Sequence, residues 1–325
     1  MAKKILAIDL GGTSVKIAIV TPEGEIQDKW TIKTNVLDDG IHIVPEIIES
    51  IKERIAQLEL PSDELLGIGM GSPGQVDDKE KTVIGAYNLD WVEKQYVGEQ
   101  LTNALNLPVF LDNDANVAAL GERWMGAGSL ADDVVFVTLG TGVGGGIIAN
   151  GELLHGAKNV AGEIGHITVE LDHPFDCTCG KKGCLETVAS ATGIVNLARY
   201  HAQFFAGESD LKKAVDDGEE VTAKDVFDLA KIEDKLAVIV AKNVGQYLGL
   251  AASHLANILN PSFIVIGGGV SAAGVFLLDI TNQTFKDNCF KQVRDSTELR
   301  LAQLGNDAGI LGAAYLVKAG VENNA

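Results

Sequence analysis

Two short stretches of this chain share one pattern, and the repeat limits the possible fold more than any other feature. Ile8-Asp-Leu-Gly-Gly-Thr13 aligns with Val137-Thr-Leu-Gly-Thr-Gly142. Each sits at the end of an apolar run that reads as a strand, Ile5 to Asp9 and Val134 to Thr138. Each is followed by a returning strand, Val15 to Val20 and Ile147 to Ala149. Both hairpins then run on to a Gly-Glu turn, Gly24-Glu25 and Gly151-Glu152. Two such units, about 130 residues apart, predict a duplicated domain.

A glycine-rich turn between strands presents backbone N–H groups with no side chains in the way, which suits an anion. In the first turn the candidates are Gly11, Gly12 and Thr13. Asp9 stands at the strand end, placed to reach a cation carried by that anion, and Lys16 lies on the return. An ordinary hairpin capped by Asp9 is the alternative. In the second turn the candidates are Gly140, Thr141 and Gly142. Gly140, Gly142 and Gly145 also match G-x-G-x-x-G, but a strand follows where a dinucleotide site needs a helix. Gly69, Gly71 and Gly74 match it too, and are set aside because the acidic loop Asp77 to Glu80 comes next. The Gly71-Ser-Pro-Gly74 loop can instead bring backbone close to a small ligand, which makes Gly74 a candidate contact.

Between the repeats, Ile41 to Leu58 has helical periodicity, Leu65 to Gly71 reads as a strand, Val92 to Leu105 as a helix and Pro108 to Leu111 as a strand. Asp112-Asn-Asp114 follows that strand and precedes an alanine-rich helix, Ala115 to Met125. One of the three is expected to cap the helix. Three together at a strand's carboxyl end exceed what capping needs, and ligands of open α/β sheets bind outside such ends. Asp114 is the candidate general base toward a substrate hydroxyl, with a pure capping role as the alternative. Later in the chain come helices over Ala189 to Phe205, Leu211 to Asp216, Ala223 to Ala230 and Asp234 to Leu259, and a strand over Phe263 to Ile266. Gly267, Gly268 and Gly269 then open a helix. They make either an adenosine or phosphate approach or plain strand–helix packing. A terminal helix spans Ala308 to Lys318, with fraying from Val321 to Ala325.

Three of the four cysteines, Cys177, Cys179 and Cys184, lie just after His166. Three thiolates and an imidazole are a complete tetrahedral zinc set with no open position, so the spacing predicts a structural Zn²⁺ rather than a catalytic one. Three reduced thiols that bind nothing are the alternative. Gly180 and Gly183 allow the sharp turns required, and Lys181 and Lys182 are placed to offset thiolate charge. Glu163 and Glu186 flank the ligands, so metal binding would also aim two carboxylates. With the second imidazole nitrogen of His166, they suit a ligand bearing several hydroxyls.

A chain of 325 residues favours about two domains. The expected division is a smaller α/β domain, 1–119 plus 306–325, carrying the first turn and Asp114. A larger one, 120–305, carries the second turn and the cysteines, with a hinge near Leu120. The net charge of −19 argues against nucleic acid and anionic membranes as partners, though not against a phosphorylated ligand held by backbone amides and metal ions. The apolar run at the N-terminus is too brief for a signal peptide, and no run of about eighteen apolar residues predicts a membrane span. Together with reduced cysteines at metal spacing, these features lead to an expected cytoplasmic location.

His166 with Cys177-Thr-Cys-Gly-Lys-Lys-Gly-Cys184-Leu-Glu186 resembles the signature of the ROK family of bacterial sugar kinases and sugar-responsive repressors. The likeness runs through essentially the whole chain. It implies an α/β, duplicated actin-like/sugar kinase (ribonuclease H-like) fold, with two domains flanking a cleft. Asp9-x-Gly-Gly-Thr13 resembles the first phosphate motif of that fold, Gly140-Thr-Gly142 the second, and Gly267-Gly-Gly269 the adenosine motif. ATP and Mg²⁺ are therefore implied. In the family's glucokinases, residues matching Asn113, Asp114, Glu163, His166 and Glu186 hold the sugar, and the one matching Asp114 is the base toward the 6-hydroxyl of glucose. A homodimer or homotetramer is the family expectation. The rival sugars are N-acetylmannosamine, fructose and allose. The rival class is a repressor, whose helix-turn-helix domain would precede the first phosphate turn; here that turn begins at Leu10 in an acidic chain, which argues against it.

Overall fold

The computed structural model describes residues 3–172 and 175–322. The chain divides into two compact units. The first runs to Leu130, takes up Leu153–Ala161 and resumes at Leu304, and the second holds Ala131–Glu152 and Gly162–Gln303.

In the first unit, β1 (Lys4–Leu10), β2 (Ser14–Val20) and β3 (Ile26–Lys33) precede α1 (Ile43–Gln57) and β4 (Leu65–Ser72). A small hairpin, β5 (Gln75–Asp77) and β6 (Thr82–Ile84), leads to α2 (Val97–Leu105), β7 (Val109–Asn113) and α3 (Asp114–Met125). The sheet order is β3-β2-β1-β4-β7: antiparallel from β3 to β1, parallel from β1 to β7. Side chains alternate across a strand, so β1 feeds two cores at once. Leu6, Ile8 and Leu10 pack with Ile47 and Ile51 of α1 and Leu101 of α2. Ile5 and Ala7 pack on the opposite face, with Val117 of α3 and Ile310 and Ala313 of the terminal helix, Ala308–Glu322.

That second layer needs glycine at close approaches. A Cβ on Gly312 would run into the carbonyl oxygen of Val117, and one on Gly121 into that of Ala308. Gly312→Ala is therefore expected to lower stability by about 1–3 kcal/mol through overpacking, read as a lower denaturation midpoint with an unchanged slope.

The second unit begins with β8 (Val134–Leu139), β9 (Val143–Ala149) and β10 (Glu152–Leu153). The helices α4 (Glu186–Ala189), α5 (Ala191–Phe204), α6 (Asp210–Asp216), α7 (Ala223–Lys231) and α8 (Lys235–Leu259) follow. Then come β11 (Phe263–Gly267), α9 (Val275–Asn288), α10 (Lys291–Arg294) and β12 (Glu298–Leu301). Its sheet order is β10-β9-β8-β11-β12, with β8 antiparallel to β9 and parallel to β11. This is the order of the first sheet repeated, so the paired hairpins do mark a duplication. Their Gly-Glu turns agree as well: Gly24 and Gly151 both have positive φ, +93° and +82°. Among the described residues, α8 is the one helix long and apolar enough to cross a membrane. Its Leu236, Val240, Val244 and Leu248 are buried in the unit's core with Phe227 and Leu277.

Four expectations need correcting. The helix expected from Val92 starts at Val97, because Gln95 exchanges both backbone hydrogen bonds with Val83 and is held extended. After Gly267 the chain makes a 3-10 turn over Gly269–Ala273, and α9 begins only beyond Gly274, whose φ of +75° interrupts the helix. Leu120 is no hinge: it is buried inside the continuous helix α3, and the first unit extends to Leu130. Val321 and Glu322 continue the terminal helix, and the rest of the expected fraying, 323–325, lies outside the described residues.

Candidate active site and metal centre

The first unit's sheet lines up its functional residues by register. Lys16 pairs with Asp9, Asp9 with Gly71, and Gly71 with Asp112, forming one row at the carboxyl ends of three parallel strands. Lys16 Nζ donates to Asp9 Oδ2 at 2.9 Å. The adjoining turn of Gly11, Gly12 and Thr13 is held by β3's continuation: Thr34 donates its hydroxyl to Gly11 O at 2.7 Å and its N–H to Thr13 O at 3.1 Å.

Of the three Asx residues, Asn113 is the cap. Its Oδ1 accepts from the N–H groups of Ala115 (2.9 Å) and Asn116 (3.4 Å), and its Nδ2 donates to Gly74 O at 3.1 Å. Gly74, at φ +89°, is thereby tied to the same corner. Asp114 is relieved of the capping role and opens α3, with Oδ1 accepting from Ala115 N–H at 2.8 Å. Burial pushes its carboxyl up to about 6, and the charge of Asp9 adds to the rise while the Ala115 N–H opposes it. A carboxylate poised near neutrality is matched to taking a proton from an alcohol.

Within the second unit, the turn of Gly140, Thr141 and Gly142 meets the loop of Gly267, Gly268 and Gly269. A cavity of about 380 Å³ is lined by Gly140, Thr141, Gly269, Ala272, Phe227 and Lys224, among others. Gly268, at φ +81°, lies against the backbone of Leu139 where a Cβ would collide. Glu186 reaches this turn too, and its Oε2 accepts from Val143 N–H at 3.0 Å. The sequence placed Glu186 beside the metal cluster; that its carboxylate also steadies the second glycine turn was not visible there.

The donor atoms of His166, Cys177, Cys179 and Cys184 all lie within 4.8 Å of one another. His166 Nδ1 is 3.5 Å from Cys177 Sγ, and Cys179 Sγ is 3.7 Å from Cys184 Sγ. Tetrahedral zinc, with Zn–S near 2.3 Å and Zn–N near 2.0–2.1 Å, puts sulfur about 3.8 Å from sulfur and about 3.6 Å from nitrogen. The donor set therefore fits a four-coordinate metal ion. Its electrostatics ask for one: burial and the neighbouring thiols push Cys184 up to about 12, a cost that a cation removes. Gly180 and Gly183 have φ of +86° and +75°, as the tight turns required.

Lys181 is the lysine that serves the cluster. Its backbone N–H, above all, and its charge hold Cys179 below the usual thiol range, while its Nζ donates to His166 O at 2.9 Å. Lys182 pairs with Asp176 at 3.1 Å instead of facing the thiols. A 3-10 turn, Ile164–His166, anchored by buried Ile164, points the other imidazole nitrogen, Nε2, toward Glu163 Oε2 at 3.8 Å. Glu163, His166 and Glu186 are thus set at the two edges of the metal knuckle.

Sequence reasoning missed His155. Its Nε2 lies 2.6 Å from Asp112 Oδ2, directly behind Asn113 and Asp114. A histidine within a stretch ending in Gly156 carries no periodic or motif signal.

Comparison with known proteins agrees with this fold. A glucokinase from Halalkalibacterium halodurans is 46% identical over 313 residues, covering 96% of this chain and 94% of its own. One from Thermotoga maritima is 36% identical over 321 residues, covering 97% of each. The crystal structure of a ROK family glucokinase from Streptomyces griseus in complex with glucose and AMPPNP matches with a TM-score of 0.75 at 34% identity, covering 98% of this chain and all of that one. The two repeated sheets are the duplicated architecture of these sugar kinases. A model of the ROK family matches residues 5–320, and on that match this chain belongs to the ROK family.

Proposed function

We propose that this protein is an ATP-dependent glucokinase, transferring the γ-phosphoryl group to the 6-hydroxyl of glucose. The observation that carries the proposal is Asp114: a carboxylate at the end of a parallel strand, freed from capping by Asn113 and raised to about 6. Similarity to glucokinases over nearly the full chain supports the substrate.

The sugar-binding set is Gly74, Asn113, Asp114, Glu163, His166 and Glu186. Asp114 takes the proton from the 6-hydroxyl as its oxygen bonds to the γ-phosphorus. The bond from that phosphorus to the β,γ-bridging oxygen breaks, and ADP leaves with the electron pair. The glycine turns at Gly11–Thr13 and Gly140–Gly142 offer backbone N–H groups to the phosphates, and Gly267–Gly269 borders the nucleoside cavity. Magnesium arrives with the nucleotide as part of the substrate. Asp9 is the carboxylate to meet it, and a cation there would offset the charge that Asp9 presents to Asp114. The ion held by His166, Cys177, Cys179 and Cys184 is structural Zn²⁺: it shapes the loop bearing Glu163 and Glu186 and has no open position for chemistry. A cytoplasmic location belongs to this reading, supported by thiols at metal-ligand spacing, which suit a reducing compartment.

A coupled assay with ATP across glucose, N-acetylmannosamine, fructose and allose tests the proposal. Glucose is expected to give the highest kcat/KM. A higher value for another hexose would overturn the specificity, and no hexose phosphorylation at all would overturn the activity.

A further inference from the structure

We propose that His155 is a positioning residue for the phosphoryl-transfer base, acting through Asp112 on the Asn113-Asp114 step. The inference rests on the reading of Asp114 as that base. Leu153–Ala161 belongs to the first unit, although the chain on both sides of it belongs to the second. It is fastened there twice: Gln75 Nε2 donates to Lys158 O at 2.7 Å, and His155 Nε2 meets Asp112 Oδ2 at 2.6 Å.

Asp112 is almost wholly buried, with a side chain 5% exposed, and is bound at both oxygens. Oδ1 accepts from Asn113 N–H at 2.7 Å and from Asn116 Nδ2 at 2.9 Å, and Oδ2 takes His155. The first two partners belong to the start of α3, so the carboxylate holds the very corner at which Asn113 caps the helix and Asp114 begins it. A buried carboxylate is tolerated only while paired and hydrogen-bonded. The hydrogen bond to Asp112 raises the pKa of His155 against the opposing effect of burial, and Asp112 and Asp78 are the charges that favour its protonated form. With His155 gone, Asp112 keeps two donors at Oδ1 and loses its imidazole partner at Oδ2. It then turns toward water and releases the Asn113 N–H, moving Asp114 from its line to the alcohol. Misplacement by about 1 Å costs on the order of 10²-fold in rate.

The test compares full-length variants. His155→Met keeps bulk without a donor, and His155→Gln keeps an N–H donor of similar reach. His155→Met is expected to lower kcat about 10–100-fold while KM for ATP stays within about twofold, and His155→Gln to stay within about threefold of wild type. Because His155 acts only through Asp112, adding Asp112→Ala to His155→Met should lower kcat no further than Asp112→Ala alone. If His155→Met does not fold, His155→Asn, whose amide falls short of Asp112, replaces it in the same comparison. Unchanged kcat without the donor, equal impairment in His155→Gln, or additive losses in the double variant would overturn the inference. A wild-type enzyme that phosphorylates no hexose would instead overturn the functional reading on which it rests.

Discussion

Asp114→Asn is expected to bind glucose about as well as the wild type and to turn it over about 10²–10⁴-fold more slowly. The amide keeps the shape and the hydrogen bond from Ala115 N–H but cannot take the proton of the 6-hydroxyl. The pH profile supplies an independent check. Asp114 works ionised, and in the free protein its carboxyl is raised to about 6, so wild-type kcat/KM for glucose should fall as pH drops through that value. The residual rate of Asp114→Asn should be flat across the same range. Steady-state kinetics across this range and glucose binding by calorimetry read both effects. Near-normal turnover in the variant would remove the base assignment, and a wild-type profile without an acid limb near 6 would contradict the environment described for it.

Removing the proposed metal should have the next largest consequence. Cys184→Ser replaces a wholly buried member of the proposed ligand set, and the variant is expected to bind no zinc and to lose about 10–100-fold in apparent glucose affinity. The reason is positional: the loop carrying Glu163, His166 and Glu186 is folded around the cluster, with short backbone links such as Cys177 N–H to Lys181 O at 2.8 Å. Metal analysis should find one zinc per wild-type chain and none in the variant. The hydrophobic core of the second unit takes in Ile164, Val169 and Leu185 beside the cluster but is built mainly on β8, β11, α5 and α8, so most of the far-ultraviolet dichroism should be preserved. Undiminished glucose affinity in a zinc-free variant would show that the metal does not shape the sugar contacts.

How much of this was legible without coordinates follows from how far apart the interacting groups lie. The hairpins around Gly11–Gly12 and Gly140–Gly142, a helix cap within Asp112-Asn-Asp114, and the clustered cysteines all depend on neighbours a few positions away, and their residue types carry the signal. The strand β3 was overlooked because Gln27, Asp28 and Lys29 break its apolar character, although its alternating exposure is regular. The early start expected for α2 failed because a bridge from Gln95 to Val83 outcompeted helix propensity.

The sequence by itself determined the duplicated hairpins, the candidate metal-ligand set and the identity of the candidate base, since those rest on residue type and short-range spacing. Only the tertiary structure decided that Asp9, Gly71 and Asp112 stand in one row, that Glu186 reaches the second glycine turn, and that His155 braces Asp112. Those links join residues about 40 or more positions apart, through strand order and close helix packing. No local pattern of side chains encodes a hydrogen bond whose partner arrives only once the sheet has formed.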